Sequence, residues 1–265
     1  MSESGSSRSR YDRVIDLSVE VPGNPQEVWQ AVATGPGITS WFVPCEVAEQ
    51  EGGVVTMNFG PMGVTTSKVT AWEPPHRVVF VDDGERPMAQ EWLVEAKEGC
   101  SCAVRLVNSG FGEDEEWGNA YDAMSKGWKI LLENLRLHLT HFRGQPARAI
   151  VPAGTAVGPN SAAFAAVCAA LGVRDNLGAG ERFVGQSDGI PALSGTVEVV
   201  CREPGTTYYL MLLEAPAPGH GFVAAEGDGD NVMVSSYLYL YGDSGTQLPD
   251  AWTPRFRERF PLAAS

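Results

Sequence analysis

Glu116-Trp117-Gly118-Asn119-Ala120-Tyr121-Asp122-Ala123-Met124-Ser125-Lys126-Gly127-Trp128-Lys129-Ile130-Leu131-Leu132-Glu133-Asn134-Leu135-Arg136-Leu137-His138-Leu139-Thr140-His141-Phe142 contains no proline and, past Gly118, a single glycine. Trp117, Tyr121, Met124, Trp128, Leu131, Leu135 and Leu139 recur at steps of three and four residues. That period places them on one stripe of an amphipathic helix of about seven turns. Asp114, Glu115 and Glu116 lie near its start, and Arg136, His138, His141 and Arg143 near its end, as the helix dipole favours. A helix of this length with a single apolar stripe needs a broad apolar surface to lie on.

The residues before it supply one. Val14–Val21 alternates apolar and polar side chains, the signature of a half-buried strand, and Pro22, Gly23 and Pro25 stop it. Asn24 is placed to cap a helix over Gln26–Ala33, with Pro25 at its first position. Gly35-Pro36-Gly37 ends that helix, and a second short one carries Ile38, Trp41 and Phe42. Strand patterns follow at 45–49, 54–59, 64–73, 77–82, 90–96 and 103–108, separated by Gly52-Gly53, Gly60-Pro61-Met62-Gly63, Pro74-Pro75, Asp83-Gly84 and Gly99. Connections this short join antiparallel neighbours, giving a meander with one covered face. The predicted fold is α+β: a curved antiparallel sheet wrapped on the long helix, over residues 11–143, after a disordered tail at 1–10.

The remaining residues, 144–265, follow Gly144-Gln145-Pro146 and repeat the outline. Strands are expected at 147–151, 197–202, 206–213, 221–226 and 232–241, a helix over 162–171 capped by Asn160 or Ser161, and a short final helix at 250–260. Gly158-Pro159-Asn160-Ser161 echoes Pro22-Gly23-Asn24-Pro25. This half is either a smaller, degenerate copy of the first or an extension of one shared sheet.

Three segments carry a family resemblance. Glu27-Val28-Trp29-Gln30-Ala31-Val32 is followed by Ile38-Thr39-Ser40-Trp41-Phe42; Lys68-Val69-Thr70-Ala71-Trp72-Glu73-Pro74-Pro75-His76-Arg77-Val78 forms a strand and turn; Gly127-Trp128-Lys129-Ile130-Leu131-Leu132-Glu133-Asn134-Leu135 lies on the helix. In this order they resemble the SRPBCC superfamily, the START and Bet v 1-like helix-grip proteins, and within it the branch related to activator of Hsp90 ATPase. The resemblance implies a helix-grip fold and an apolar cavity for lipids, polyketides or other flat hydrophobic molecules. It implies no single reaction.

Trp41, Phe42, Met57, Phe59, Trp72, Trp92, Phe111, Tyr121, Met124 and Trp128 are the candidate ligand-binding residues, since cavity walls favour rigid aromatics and adaptable methionines. Glu20, Glu91 and Asp122 are candidate proton-transfer groups wherever burial raises a carboxyl pKa. No catalytic set is legible. His138 and His141 read as solvated residues of the last helical turns, and the run Glu113-Asp114-Glu115-Glu116 as charge at a helix start. Asp228-Gly229-Asp230-Asn231 lacks a calcium-loop frame and reads as a hairpin turn, while Cys100-Ser101-Cys102 lacks partner ligands, so neither metal nor cofactor is expected. Five cysteines in no framework predict free thiols.

A net charge of −14 opposes nucleic-acid binding, which needs a basic face. No stretch has the roughly 20 apolar residues of a membrane span, and the Ser-rich start is no export signal, so the expected compartment is the cytoplasm. Three functions fit: a binder of a small hydrophobic molecule, a cyclase, dehydratase or hydrolase using a cavity carboxylate, or a protein-interaction module in the manner of a co-chaperone. A protein partner or a homodimer is compatible with each.

Overall fold

The structure, a computed structural model, describes residues 13–84, 87–112 and 115–262. The tail at 1–10, Glu113 and Asp114 lie outside those residues, as does the side chain of Trp117. Strand β1 (Ile15–Pro22) leads into α1 (Pro25–Ala33) through the expected cap. The Glu27 backbone N–H donates to Asn24 Oδ1 at 3.0 Å, and the Asn24 N–H donates to Glu27 Oε2 at 2.9 Å. This reciprocal pair satisfies two donors that a helix start otherwise leaves open. Helix α2 (Gly35–Thr39) follows, then β2 (Cys45–Val47), β3 (Val54–Asn58), β4 (Val64–Glu73), β5 (Arg77–Asp82), β6 (Ala89–Lys97), β7 (Ser101–Ser109) and the long α3 (Glu115–His141). The strands pair antiparallel in the order β1-β7-β6-β5-β4-β3-β2, so the first strand pairs with the last of this half.

The second half forms a separate sheet of its own. It comprises β8 (Arg148–Ile150), β9 (Ala153–Gly158), α4 (Asn160–Ala170), β10 (Arg182–Gly185), β11 (Leu193–Glu203), β12 (Thr206–Ala215), β13 (Gly219–Glu226) and β14 (Gly229–Leu240), then α5 (Gly242–Thr246) and α6 (Trp252–Arg259). Its order is β10-β11-β12-β13-β14-β8, with β9 also on β14. As in the first half, the opening strand β8 pairs with the closing strand β14, with a helix between them in the chain. β9 and β10 escaped the sequence reading: β9 is made of small residues, and β10 is four residues long. The small residues have a cause. A Cβ on Gly154 would meet the Phe260 carbonyl oxygen, so only glycine lets the C-terminal segment approach this strand.

Asn160 is not the cap of α4 but its first residue. Its side chain is buried, donating from Nδ2 to the carbonyls of Ala225 and Gly227 and accepting at Oδ1 from Thr207 Oγ at 2.6 Å. It ties α4 to the strands beneath, and an amide with both donor and acceptor is required to do so.

Both faces of the second sheet are covered. Along β12, Tyr208, Leu210 and Leu212 join the core shared with the first half, while Tyr209, Met211 and Leu213 join a second core with α4 and α6. The same alternation holds for Tyr237 and Tyr239 on β14 and Tyr241 just after it, against Leu238 and Leu240. A strand buried on both faces reads as an unbroken apolar run, and Tyr208–Leu213 is one. Helix α3 packs against β1 of the first sheet and against β12 and β13 of the second. It carries a second buried row, Ile130, Asn134, Leu137 and His138, beside the expected stripe.

That second row corrects the expectation for His138, which is 2% exposed rather than solvated; His141 does stand exposed. A directed chain of hydrogen bonds explains how a histidine is tolerated there. Asn134 Nδ2–H donates to the Trp41 carbonyl at 2.6 Å, which turns Asn134 Oδ1 toward His220 Nδ1, 2.9 Å away. Oδ1 only accepts, so the His220 proton sits on Nδ1. Nε2 of His220 lies 2.9 Å from the Tyr241 hydroxyl and 3.1 Å from the Ser40 carbonyl; the Tyr241 hydroxyl, which also donates to that carbonyl at 3.2 Å, lies 2.7 Å from His138 Nδ1. Phe142 stacks on Tyr241, their centroids 4.0 Å apart. This network joins the loop after α2, the long helix and β13 and β14, and so sets the second sheet against the first.

Candidate functional site

Between the first sheet, α3 and the second sheet lies a cavity of about 540 Å³. The meander contributes Met57, Thr65, Ser67, Phe80, Asp82, Ala89, Gln90 and Asn108, with Phe42, Phe59, Met62 and Met88 from adjoining turns. Helix α3 contributes Met124, Gly127, Trp128, Ile130 and Leu131. The second sheet contributes Ala153, Phe222, Glu226, Met233, Ser235 and Tyr237. Its size and mostly apolar wall are those of a small-molecule site.

Of the ten candidates from sequence, Phe42, Met57, Phe59, Met124 and Trp128 are in this wall, and the other five stand outside it. Trp41 and Trp92 lie directly behind, as one aromatic cluster. Trp128 meets Phe42 at 5.2 Å and Trp92 at 5.6 Å, Trp92 meets Trp41 at 5.6 Å, and the Trp41 indole N–H is taken by the Ala31 carbonyl. Trp72 follows a register shift between Val69 and Ala71 and packs edge-on to Trp29 at 5.0 Å. The shift reverses the faces of β4, as one extra residue does. Phe111 and Tyr121 pair with each other at 5.2 Å, and Tyr121 donates to the Val14 carbonyl.

The candidate carboxylates lie elsewhere. Glu91 is bound by Arg77 at 2.6 Å, Glu20 accepts from Ser101, and Asp122 is exposed. Glu91 points away from the cavity because its neighbour Trp92 points toward the core. Two other carboxylates line the cavity, Asp82 on β5 and Glu226, on the strand pair Glu226–Met233. Among the described residues no hydrogen bond or ion pair reaches Glu226, and burial pushes its pKa up to about 7, against a smaller opposing pull from Lys126. Burial likewise pushes the Tyr237 hydroxyl up to about 12.

A legible signal pointed to this wall. On a sheet whose inner positions are otherwise apolar, Thr65, Ser67, Asp82, Gln90 and Asn108 are inward and polar. They meet in register, Ser67 opposite Asp82 and Gln90 opposite Asn108. Two residues of the wall each hold a buried polar atom with no partner among the described residues, Trp128 Nε1–H and Asn108 Oδ1. The weak bond from Asn108 Nδ2 to Met124 Sδ at 3.5 Å fixes which end of that amide is left open. Such atoms cost stability unless a bound molecule or water completes them.

The buried titratable groups predict how stability varies with pH. Burial holds His138 down at about 4 and His220 well below its ordinary value. Unfolded histidine binds its proton near 6.5, so below that pH the unfolded chain gains protons the fold refuses and stability falls. Between pH 6.5 and 5 His138 alone accounts for about 2 kcal/mol. Glu226 works in the opposite sense: its raised pKa means stability is lost as pH rises from the ordinary carboxyl range through about 7. The comparison therefore belongs in a Glu226→Gln background. There, urea midpoints should drop between pH 7 and pH 5, and adding His138→Asn should remove a large part of the drop. An unchanged drop would contradict the assignment of His138.

Residues 23–140 match the family model Activator of Hsp90 ATPase homolog 1-like protein. That stretch is an AHSA1-like helix-grip domain. The AHSA1-like match covers β2–β7 of the first sheet and nearly all of α3, but neither β1 nor the second sheet, which supplies six of the cavity's lining residues. Over 81 residues the chain is 32% identical to the uncharacterized proteins MT1597 and Rv1546 of Mycobacterium tuberculosis, covering 27% of this chain. The chain spans 57% of the length of those curated relatives. Among solved structures, protein BH1534 of Bacillus halodurans is 23% identical, with a TM-score of 0.43, over 48% of this chain and 96% of its own. The di-domain ARO/CYC BexL from the BE-7585A biosynthetic pathway is 14% identical, with a TM-score of 0.45, over 93% of this chain and 92% of its own. None of the described helices is long and apolar enough to cross a membrane, and no metal-ligating cluster occurs among the described residues.

Proposed function

We propose that this protein binds a small, flat hydrophobic molecule between the AHSA1-like domain and the second sheet. The observation that carries this reading is the cavity of about 540 Å³ whose aromatic, methionine and aliphatic wall comes from both halves. A packed interior leaves few voids larger than a water molecule, so an apolar space of this size asks for an occupant. Titration with Nile red, an uncharged apolar dye, tests it. Fluorescence should rise, shift to the blue and saturate near one equivalent. No rise, together with an unmoved melting temperature across lipids, flavonoids and polyketide-like compounds, would count against a binder.

A second reading is an enzyme of the cyclase, dehydratase or hydrolase kind, and one observation favours it. Glu226 faces the cavity with a pKa near neutrality, so it has a proton to give and a base to take one back, in the company of Tyr237 and Ser235. Glu226→Gln keeps the shape and removes the titration. Small molecules recovered from that variant and from the wild type should then differ by a water or a ring closure; identical molecules would leave the protein a binder. An interaction module would be marked by a filled cavity and a broad exposed apolar patch, and this cavity is open.

A further inference from the structure

The chain has seven methionines. Met1 lies outside the described residues; of the other six, Met57, Met62, Met88, Met124 and Met233 all line the cavity. They reach it from five separate segments: β3, the turn before β4, the approach to β6, helix α3 and β14. The sixth, Met211, is fully buried on the opposite face of the second sheet. Methionine fills irregular gaps in any core, but that use would scatter it through both cores, and here it is gathered on one wall. A thioether is oxidised where an oxidant reaches it. Met62 is 46% exposed, Met88, Met124 and Met233 are half-buried, and Met57 is buried, so access falls from the surface inward. No cysteine lines the cavity. Burial pushes the thiols of Cys45, Cys102, Cys168 and Cys201 up, Cys45 to about 12, which leaves little of the thiolate that peroxides attack. Cys100 is exposed and stands outside the lining.

We propose that this methionine wall is a site of reversible oxidation by peroxides, and that its oxidation drives the hydrophobic ligand out of the cavity. The inference rests on the binding function proposed above. In each step a thioether sulfur attacks one peroxide oxygen. An S–O bond forms as the O–O bond breaks, and the sulfur gives up two electrons. The departing oxygen takes the O–O electron pair and the proton of the transferred oxygen, and leaves as water or an alcohol. A thiol-dependent methionine sulfoxide reductase reverses the change: the sulfoxide oxygen leaves as water and two thiols become a disulfide. Each sulfoxide replaces an apolar contact with a polar, hydrated group. An apolar molecule can then enter only by stripping that water, so the wall that favoured it opposes it.

The full chain, treated with hydrogen peroxide, cleared with catalase and freed of reagents, is titrated with Nile red. Peptide mapping by mass spectrometry should find one added oxygen on Met62 first, then on Met88, Met124 and Met233, with Met211 still a thioether. The Nile red dissociation constant should rise by at least about tenfold. Dithiothreitol reduces disulfides and sulfenic acids but not sulfoxides, so it should leave that loss in place. Methionine sulfoxide reductases for both sulfoxide epimers should then restore the affinity to within about twofold. The combined variant Met62→Leu, Met88→Leu, Met124→Leu, Met233→Leu is compared with its own untreated affinity, which peroxide should change by less than about twofold. If the affinity survives oxidation of the wall, if dithiothreitol alone restores it, or if the leucine variant loses as much, the oxidation site is overturned while the binder stands. Loss of near-ultraviolet circular dichroism along with dye binding, or oxidation of Met211 as fast as Met62, would mean unfolding and would overturn it too. If the untreated protein takes up no dye, the binding function itself fails, and this inference with it.

Discussion

Gly127→Leu is expected to abolish ligand uptake while leaving the protein folded and no less stable. Gly127 sits inside α3 and in the cavity wall, and a Cβ built on it meets only the far end of Glu226, with Oε1 at 3.9 Å. Glycine in a helix interior costs about 1 kcal/mol relative to alanine, so Gly127→Ala alone should raise stability by roughly that amount. Leucine extends the same vector into the space a ligand would fill. The Nile red dissociation constant should rise by at least about tenfold, with an unchanged or higher urea midpoint. This separation matters because most wall residues, Trp128 among them, also hold the core, and losing one would confuse unfolding with loss of binding. A Gly127→Leu protein that still takes up the dye at wild-type affinity would move the binding site out of this cavity.

His220→Ala is expected to produce the largest loss of stability of any single histidine change, about 3–5 kcal/mol. The ring is fully buried, stacks on Tyr239 at 4.8 Å, and holds both Asn134 and Tyr241 by hydrogen bonds. Alanine leaves a void and takes one buried partner each from Asn134 Oδ1 and the Tyr241 hydroxyl. Because those groups belong to α3 and to the residue that follows β14, the variant should also loosen the second sheet from the AHSA1-like domain and weaken dye binding at a distance from the cavity. Urea denaturation at about pH 7.5, where both buried rings are neutral, checks the energy. His141→Ala is the control: the residue is exposed and should shift stability by under about 0.5 kcal/mol. A His220→Ala protein within 1 kcal/mol of wild type, by that about-threefold margin, would show the network to be dispensable.

The first half was legible because its signals are local. The Asn24 cap, the short glycine and proline turns and the three- and four-residue steps of α3 each depend on neighbours in sequence, and all of them stand in the structure. What was not legible came from contacts across the halves. A single stripe on α3 predicted one partner sheet. The helix has two, and Ile130, Asn134, Leu137 and His138 carried that message as a second row with polar members. His138 looked like a helix-end charge because its partners, Tyr241 and, through it, His220, are distant in sequence.

The candidate site divided along the same line. Aromatic content found Phe42, Phe59 and Trp128, yet it also drew in Trp41 and Trp92, which are core behind the wall, and Trp72, which a bulge sets on the covered face opposite Val78 but against Trp29 of α1, away from the cavity. Size and hydrophobicity do not separate wall from core. Polar residues at inward strand positions do, since nothing apolar accounts for Ser67, Gln90 and Asn108 on the covered face. Glu226 was beyond reach from sequence, because its strand reaches the cavity only through the packing of one sheet on the other.

Native mass spectrometry of the purified full chain, followed by organic extraction, tests the central claim most directly. The account predicts wild-type protein carrying one small hydrophobic molecule per chain, recovered in the extract, and Gly127→Leu protein at the bare chain mass. Wild-type protein that is bare, and that stays bare after incubation with Nile red, would contradict it.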